Sequence, residues 1–72
     1  MVNVKYNIVL QNTRINFNLT QEKVANILGI DRRTYNHYEI GEKIIPIKHL
    51  ITLSDYFNVS IDYLLGLTDV KQ

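Results

Sequence analysis

Thr20-Gln21-Glu22-Lys23-Val24-Ala25-Asn26-Ile27-Leu28-Gly29-Ile30-Asp31-Arg32-Arg33-Thr34-Tyr35-Asn36-His37-Tyr38-Glu39-Ile40-Gly41 is the stretch on which the fold turns. Val24, Ala25, Ile27 and Leu28 have the spacing of a short helix that stops at Gly29. Asp31 supplies a carboxylate N-cap for the next helix, expected over about residues 32–40 and closed by Gly41. Only Gly29 and Ile30 lie between the two. A link that short makes the helices cross at a large angle, the helix-turn-helix geometry. Gly29 suits the left-handed residue that ends the first helix. Ala25 is small enough for the close approach of the two helices.

On a wheel of about 100° per residue, Arg32 at zero places Asn36 at about 40°, Ile40 at about 80°, Arg33 at about 100° and His37 at about 140°. Thr34, Tyr38 and Tyr35 fall on the other side, at about 200°, 240° and 300°. One face is basic and amide-bearing and contains no acid; the other is aromatic and suits a core. An ordinary solvated surface has the same polarity. The missing acid and the tight preceding link set this face apart. Arginine can pair with guanine O6 and N7, asparagine with adenine N6 and N7, and histidine can donate from a ring nitrogen.

Outward from this stretch the pattern stays helical. A first helix is expected over about residues 4–16, with Tyr6, Val9, Leu10 and Phe17 toward one face. Ile47, Leu50, Ile51, Ser54 and Phe57 follow i, i+3, i+4, i+7, i+10, and predict the buried face of a fourth helix. Ile61, Leu64 and Leu65 predict a short fifth helix ending at Gly66. Three helix starts share one code: an apolar residue, a cap, and a second apolar residue four places on. These are Leu19-Thr20 with Val24, Ile30-Asp31 with Tyr35, and Val59-Ser60 with Leu64. Each is an N-cap inside a hydrophobic staple, and each cap is worth about 1 kcal/mol over alanine.

The 72 residues allow one small core. A single all-α domain over 1–72 is expected, with its core over about 4–66 and a tail over 67–72. Without cysteine there is no disulfide framework and no thiolate metal site. No apolar run reaches the length of a membrane span, and Met1-Val2-Asn3-Val4-Lys5 lacks the order of a signal peptide. A cytoplasmic protein is therefore expected. The formal charge of +1 hides an asymmetry. Residues 1–48 carry seven cations and four anions, or +3; residues 49–72 carry one cation and three anions, or −2.

The chain resembles the Cro/repressor-type helix-turn-helix regulators, the lambda-repressor-like or xenobiotic-response-element family. The resemblance runs from about residue 6 to Gly66. It is carried by Leu19-Thr20-Gln21, Ala25, Leu28-Gly29-Ile30, Tyr38-Glu39, Gly41 and the tail Leu53-Ser54-Asp55-Tyr56-Phe57-Asn58-Val59-Ser60-Ile61-Asp62-Tyr63-Leu64-Leu65-Gly66. It implies a compact five-helix domain that binds double-stranded DNA as a transcriptional regulator, repressor rather than activator, in a bacterial or phage-type, nucleoid-associated setting. It also implies base contacts from Arg32, Arg33 and His37, with Asn36 facing the same groove. Gln21 is implied as a backbone contact that can brace a reading side chain, and Arg14 as an internal partner of Glu39. Lys43 and the backbone near Gly41 are the phosphate candidates of the following loop. That loop departs from the family pattern: Glu42 would repel phosphate, and Ile40, Ile44 and Ile45 are apolar, with core packing expected at least for Ile45.

A homodimer is expected on DNA, because one small domain makes few base contacts. Leu65, Leu67 and Val70 are candidates for its surface, or else part of a frayed tail. The other reading is a protein-interaction module on the same fold, such as an antitoxin or anti-repressor, whose partner binds the apolar surface. Neither reading calls for a cofactor, a metal or an enzyme activity. His37 and His49 lack a third ligand, no nucleophile stands with a base, and no glycine-rich phosphate loop is present. The tyrosines are expected in or near the core with their hydroxyls at the surface, Tyr35 filling the slot between the second and third helices.

Overall fold

The computed structural model describes residues 6–71, Tyr6 by its backbone alone. Five helices follow one another: α1 Tyr6–Asn16, α2 Gln21–Leu28, α3 Arg32–Glu39, α4 Ile47–Phe57 and α5 Ile61–Leu64. The expected start of α1 at residue 4 and the expected inward place of Tyr6 lie outside the described residues. No strand occurs among the described residues, so the fold is all-α.

All five helices end in the same way. A residue in the left-handed region follows each one: Asn18, Gly29, Gly41, Asn58 and Gly66. The next N–H then reaches back five residues to a carbonyl that the helix leaves unpaired. These bonds are Leu19 to Arg14, Ile30 to Ala25, Glu42 to His37, Val59 to Ser54 and Leu67 to Asp62, all between 3.0 and 3.1 Å. At three of these points the stop and the next start share three residues. In Asn18-Leu19-Thr20, Gly29-Ile30-Asp31 and Asn58-Val59-Ser60, a left-handed residue precedes an aliphatic residue packed on the core, and a cap follows. The caps accept from the backbone at Lys23 (3.1 Å), Thr34 (2.7 Å) and Tyr63 (3.0 Å).

Gly29 holds φ at +72°, yet a Cβ there would meet no atom within 4 Å. Substitution therefore carries the cost of conformation without a clash. Gly29→Ala is expected to lower stability by about 1–2 kcal/mol, read from denaturant or thermal melts. A loss of several kcal/mol would show that the turn is more tightly packed than this.

Leu10, Val24, Tyr35, Leu53 and Leu64 are buried almost completely and form the centre of the core with Ala25 and Phe57. α2 packs chiefly on α3, α1 on α3 and α5, and α4 on α5 and α2. Ile45 is buried in the core, whereas Ile40 and Ile44 are exposed. Thr13 is also buried; its hydroxyl donates to the Val9 carbonyl at 2.8 Å, which satisfies it within α1. Phe17 lies just past α1, half exposed, with its ring centroid 4.7 Å from that of Phe57.

The buried face of α4 differs from the one its spacing predicts. Leu50 and Phe57 are inside as expected, but Ile47 is 61% exposed and Ile51 54%. His49 and Leu53 are buried in their place. On a wheel the inward residues span about 100°, and Ile47 and Ile51 lie about 60° and 100° beyond Leu50 on the outer side. Apolar residues occupy both flanks of this helix, so hydropathy alone leaves its rotation open. Packing settles it by turning the His49 ring onto Tyr38, at a centroid distance of 6.2 Å.

The Ser60 N–H donates to the Lys71 carbonyl, which ties the tail to the start of α5. Leu65 packs against the core, and Leu67 and Val70 stay exposed. Among the described residues no helix is long and apolar enough to cross a membrane.

Candidate nucleic-acid interface

The two faces of α3 separate as its wheel predicts. Tyr35, Tyr38 and Glu39 are buried, Arg32 and Arg33 are exposed, and Asn36 and His37 are half buried. Asp31 caps the helix; the hydrogen bond from Thr34 holds its carboxyl below the ordinary carboxylate range. The exposed cap acid also lies within electrostatic reach of Arg33 and His37.

Beneath the outer face lies a polar network centred on Glu39. Arg14 Nε donates to Glu39 Oε2 at 2.7 Å and Arg14 Nη2 to Oε1 at 3.2 Å, a two-pronged pair. Arg14 Nη1 donates to the Leu19 carbonyl at 2.7 Å. One guanidinium thus joins the end of α1, the joint to α2 and the end of α3. The Tyr35 hydroxyl donates to Glu39 Oε2 at 2.6 Å, and Gln21 Nε2 donates to Oε1 at 2.9 Å. The four bonds saturate a carboxylate whose side chain is only 1% exposed.

Burial pushes the Glu39 carboxyl upward, but the bonds from Arg14, Tyr35 and Gln21 outweigh it and hold the group below the ordinary range. The bond to Glu39 raises Arg14 against its own desolvation. Burial first, and then the bond to Glu39, raise Tyr35. The Tyr35 hydroxyl is therefore internal, contrary to its expected place at the surface. Without it one acceptor position of the buried carboxylate would go unmet, at about 1–3 kcal/mol, so the hydroxyl serves better inside than out.

Gln21 couples this network to the outer face. Its Nε2 also donates to Asn36 Oδ1 at 3.0 Å, and its Oε1 accepts from Arg32 Nη1 at 3.4 Å. Its side chain is engaged as a brace between α2 and α3. Arg33 stands exposed on the same outer side. His37 is less open than the wheel suggests: its Nε2 lies 3.8 Å from Glu42 Oε2, and its Nδ1 is enclosed with no hydrogen-bond partner. Gly41 and Lys43 are exposed in the loop after α3. Gly41 sits over the Asn7 side chain, which donates to the Glu39 carbonyl at 3.4 Å.

In the sequence, Arg14 and Glu39 are paired only by family resemblance. Tyr35 as a donor to Glu39, the Arg32–Gln21 contact and the place of Glu42 beside His37 emerge only in three dimensions. The spacing of four between Tyr35 and Glu39 is the one local signal for these, since it puts both on one helix face. Among the described residues no group of three or more His, Cys, Asp or Glu is placed to hold a metal.

A family model described as helix-turn-helix matches residues 10–64. The chain is 43% identical over 51 residues to an uncharacterized HTH-type transcriptional regulator, YobD, of Bacillus subtilis, covering 71% of this chain and 46% of YobD. It is 37% identical over 65 residues to the cryptic phage CTXphi transcriptional repressor RstR of Vibrio cholerae, covering 88% of this chain and 58% of RstR. Relatives named for repression and for activation both occur. A solved transcriptional regulator from Listeria innocua superposes with a TM-score of 0.88 at 30% identity, covering 93% of this chain and 63% of that one. The chain spans about half the length of the curated relatives it matches.

Proposed function

The chain belongs to the helix-turn-helix family, and from that premise we propose that it binds duplex DNA by sequence, as a transcriptional regulator with α3 in the major groove. The observation that carries this reading is the outer face of α3. Arg32 and Arg33 project from its first turn, Asn36 lies one turn on, and the helix's one acid is buried and saturated inside. Arg32, Arg33 and Asn36 read base edges, with His37 at the rim through Nε2. Lys43 and the main chain near Gly41 meet phosphate. Gln21 contributes through the main chain at the N-terminus of α2, because its side chain is committed inward. The protein acts as a homodimer on half-sites about one helical turn apart, in the cytoplasm of a bacterial or phage-infected cell. Repression is the sense proposed, since occupation of a groove blocks other proteins without a further contact surface.

Binding to random-sequence duplex is expected to weaken steeply with salt, in proportion to the phosphates neutralised. Arg33→Ala is expected to cost about 1–3 kcal/mol on a preferred duplex and to relax base choice at one position. Equal losses on preferred and random duplex would reduce Arg33 to a phosphate contact. Absence of binding at low salt sinks the DNA reading. In that event the second reading stands, a protein-interaction module such as an antitoxin or anti-repressor. Its favouring observation is the exposure of Ile44, 85%, beside the outward Ile40 and Ile47.

A further inference from the structure

The two ends of a side-chain amide have the same shape, so the surrounding network decides which way each one faces. Around Gln21 the decision is made by two ions. Glu39 is a carboxylate that can only accept, and it faces the Nε2 end at 2.9 Å. Arg32 is a guanidinium that can only donate, and it faces the Oε1 end at 3.4 Å. Turning Gln21 over would set oxygen against carboxylate and amine against guanidinium. Its orientation is pinned at both ends by opposite charges.

The consequence passes to Asn36. The two Nε2 hydrogens of Gln21 go to Glu39 Oε1 and to Asn36 Oδ1, at 2.9 and 3.0 Å. Asn36 must present its oxygen inward to Gln21, which leaves its amine on the outer side of α3. We infer that the chain Glu39–Gln21–Asn36 is a specificity-determining relay: a buried carboxylate, out of reach of any base, fixes Asn36 as a hydrogen-bond donor toward the groove. Together with Arg32 and Arg33 this makes the reading face a set of donors. The base opposite Asn36 must then offer acceptors. Guanine, with O6 and N7, and thymine, with O4, fit; cytosine presents the N4 amine and is rejected; adenine pairs its N7 but leaves N6 unmet. A freely turning asparagine would instead favour adenine through its paired donor and acceptor.

The inference rests on the DNA reading proposed above, and the test separates the two. Duplexes are selected from a random pool by the wild-type chain, by Gln21→Met and by Glu39→Gln. Gln21→Met removes the amide but keeps an unbranched chain, and leaves Glu39 with Arg14 and Tyr35. The wild type is expected to enrich guanine or thymine at one position per half-site and to deplete cytosine about tenfold. In Gln21→Met that discrimination is expected to collapse to about twofold or less with a gain of adenine, while the position read by Arg33, which does not touch Gln21, keeps its preference. Glu39→Gln is expected to relax the same position, since an amide in place of the carboxylate no longer forbids the turned Gln21. If that variant does not fold, exchange of side-chain amide protons in the free wild-type protein replaces it. The Gln21 pair is expected to exchange slowly and the Asn36 pair fast. Equal exchange of the two pairs overturns the relay. Gln21→Met that binds more weakly with unchanged base preference at every position also overturns it, and leaves DNA binding intact. A wild type that enriches no duplex overturns both.

Discussion

Replacing Arg14 with alanine is expected to cost about 3–5 kcal/mol of folding free energy, measured by urea or thermal melts at neutral pH. Arg14 is 12% exposed and Glu39 1%, so this is not a surface ion pair worth a few tenths. The variant keeps a buried carboxylate bonded only to Tyr35 and Gln21, without a countercharge. It also loses the bond from Nη1 to the Leu19 carbonyl, at the joint where α1 hands over to α2. A domain of this size holds roughly 4–11 kcal/mol in total, so the variant sits near the edge of folding. Replacing both partners by apolar residues is expected to recover much of the loss, because the cost lies in the unpaired charge.

The pH dependence gives the same pair a second reading. Glu39 is held below its ordinary value in the folded chain. Its contribution is therefore present above about pH 4.3, the unfolded value, and is lost as pH falls through the lower folded value. Without Arg14 the desolvation that raises Glu39 loses its main opponent. The variant's carboxyl then takes up a proton more readily, which relieves the buried charge. The gap between wild type and Arg14→Ala is expected to narrow as pH drops below about 4. A gap under 1 kcal/mol at neutral pH, unchanged by acid, would place the pair among ordinary surface bridges.

Three helix starts and three stops were legible because each is written in a few adjacent residues. Thr20, Asp31 and Ser60 announce starts through their oxygens, and Gly29, Gly41 and Gly66 announce stops. Asn18 and Asn58 do the glycine's work at the other two stops, which the sequence marks less plainly because asparagine has many ordinary uses besides the left-handed region. The outer face of α3 was equally plain, since its residues differ in kind from those behind it. The network beneath was not. Its members come from α1, α2 and α3, separated by as many as 25 residues; the spacing of four puts Tyr35 and Glu39 on one face, but no local rule joins Gln21 to Asn36 or Arg14 to Glu39. His37 shows the limit of a wheel, which fixes a direction but cannot know that Glu42 returns beside the ring.

The rotation of α4 yields the other large prediction. Leu53 is fully buried, at 0% exposure, while Ile51, two residues earlier on the same helix, is 54% exposed. Leu53→Ala leaves a cavity in the centre of the core and is expected to cost about 2–5 kcal/mol. At about 4–8 °C per kcal/mol for a chain of this length, the melting temperature falls by at least about 8 °C. Ile51→Ala removes side-chain surface that already faces outward and is expected to stay within about 0.5 kcal/mol of wild type. The spacing of Ile47, Leu50 and Ile51 predicts the opposite order, with Ile51 the sensitive site. A melt of the two variants therefore decides between the helix rotation that hydropathy suggests and the one that packing selects. Leu50→Ala serves as the control, since both rotations bury Leu50 and both require a large loss there. Comparable losses in Ile51→Ala and Leu53→Ala would mean that the exposed isoleucine face of α4 is covered in solution, as in an assembly of copies. Repeating the Ile51→Ala melt at several protein concentrations exposes that case, because stability drawn from association rises with concentration.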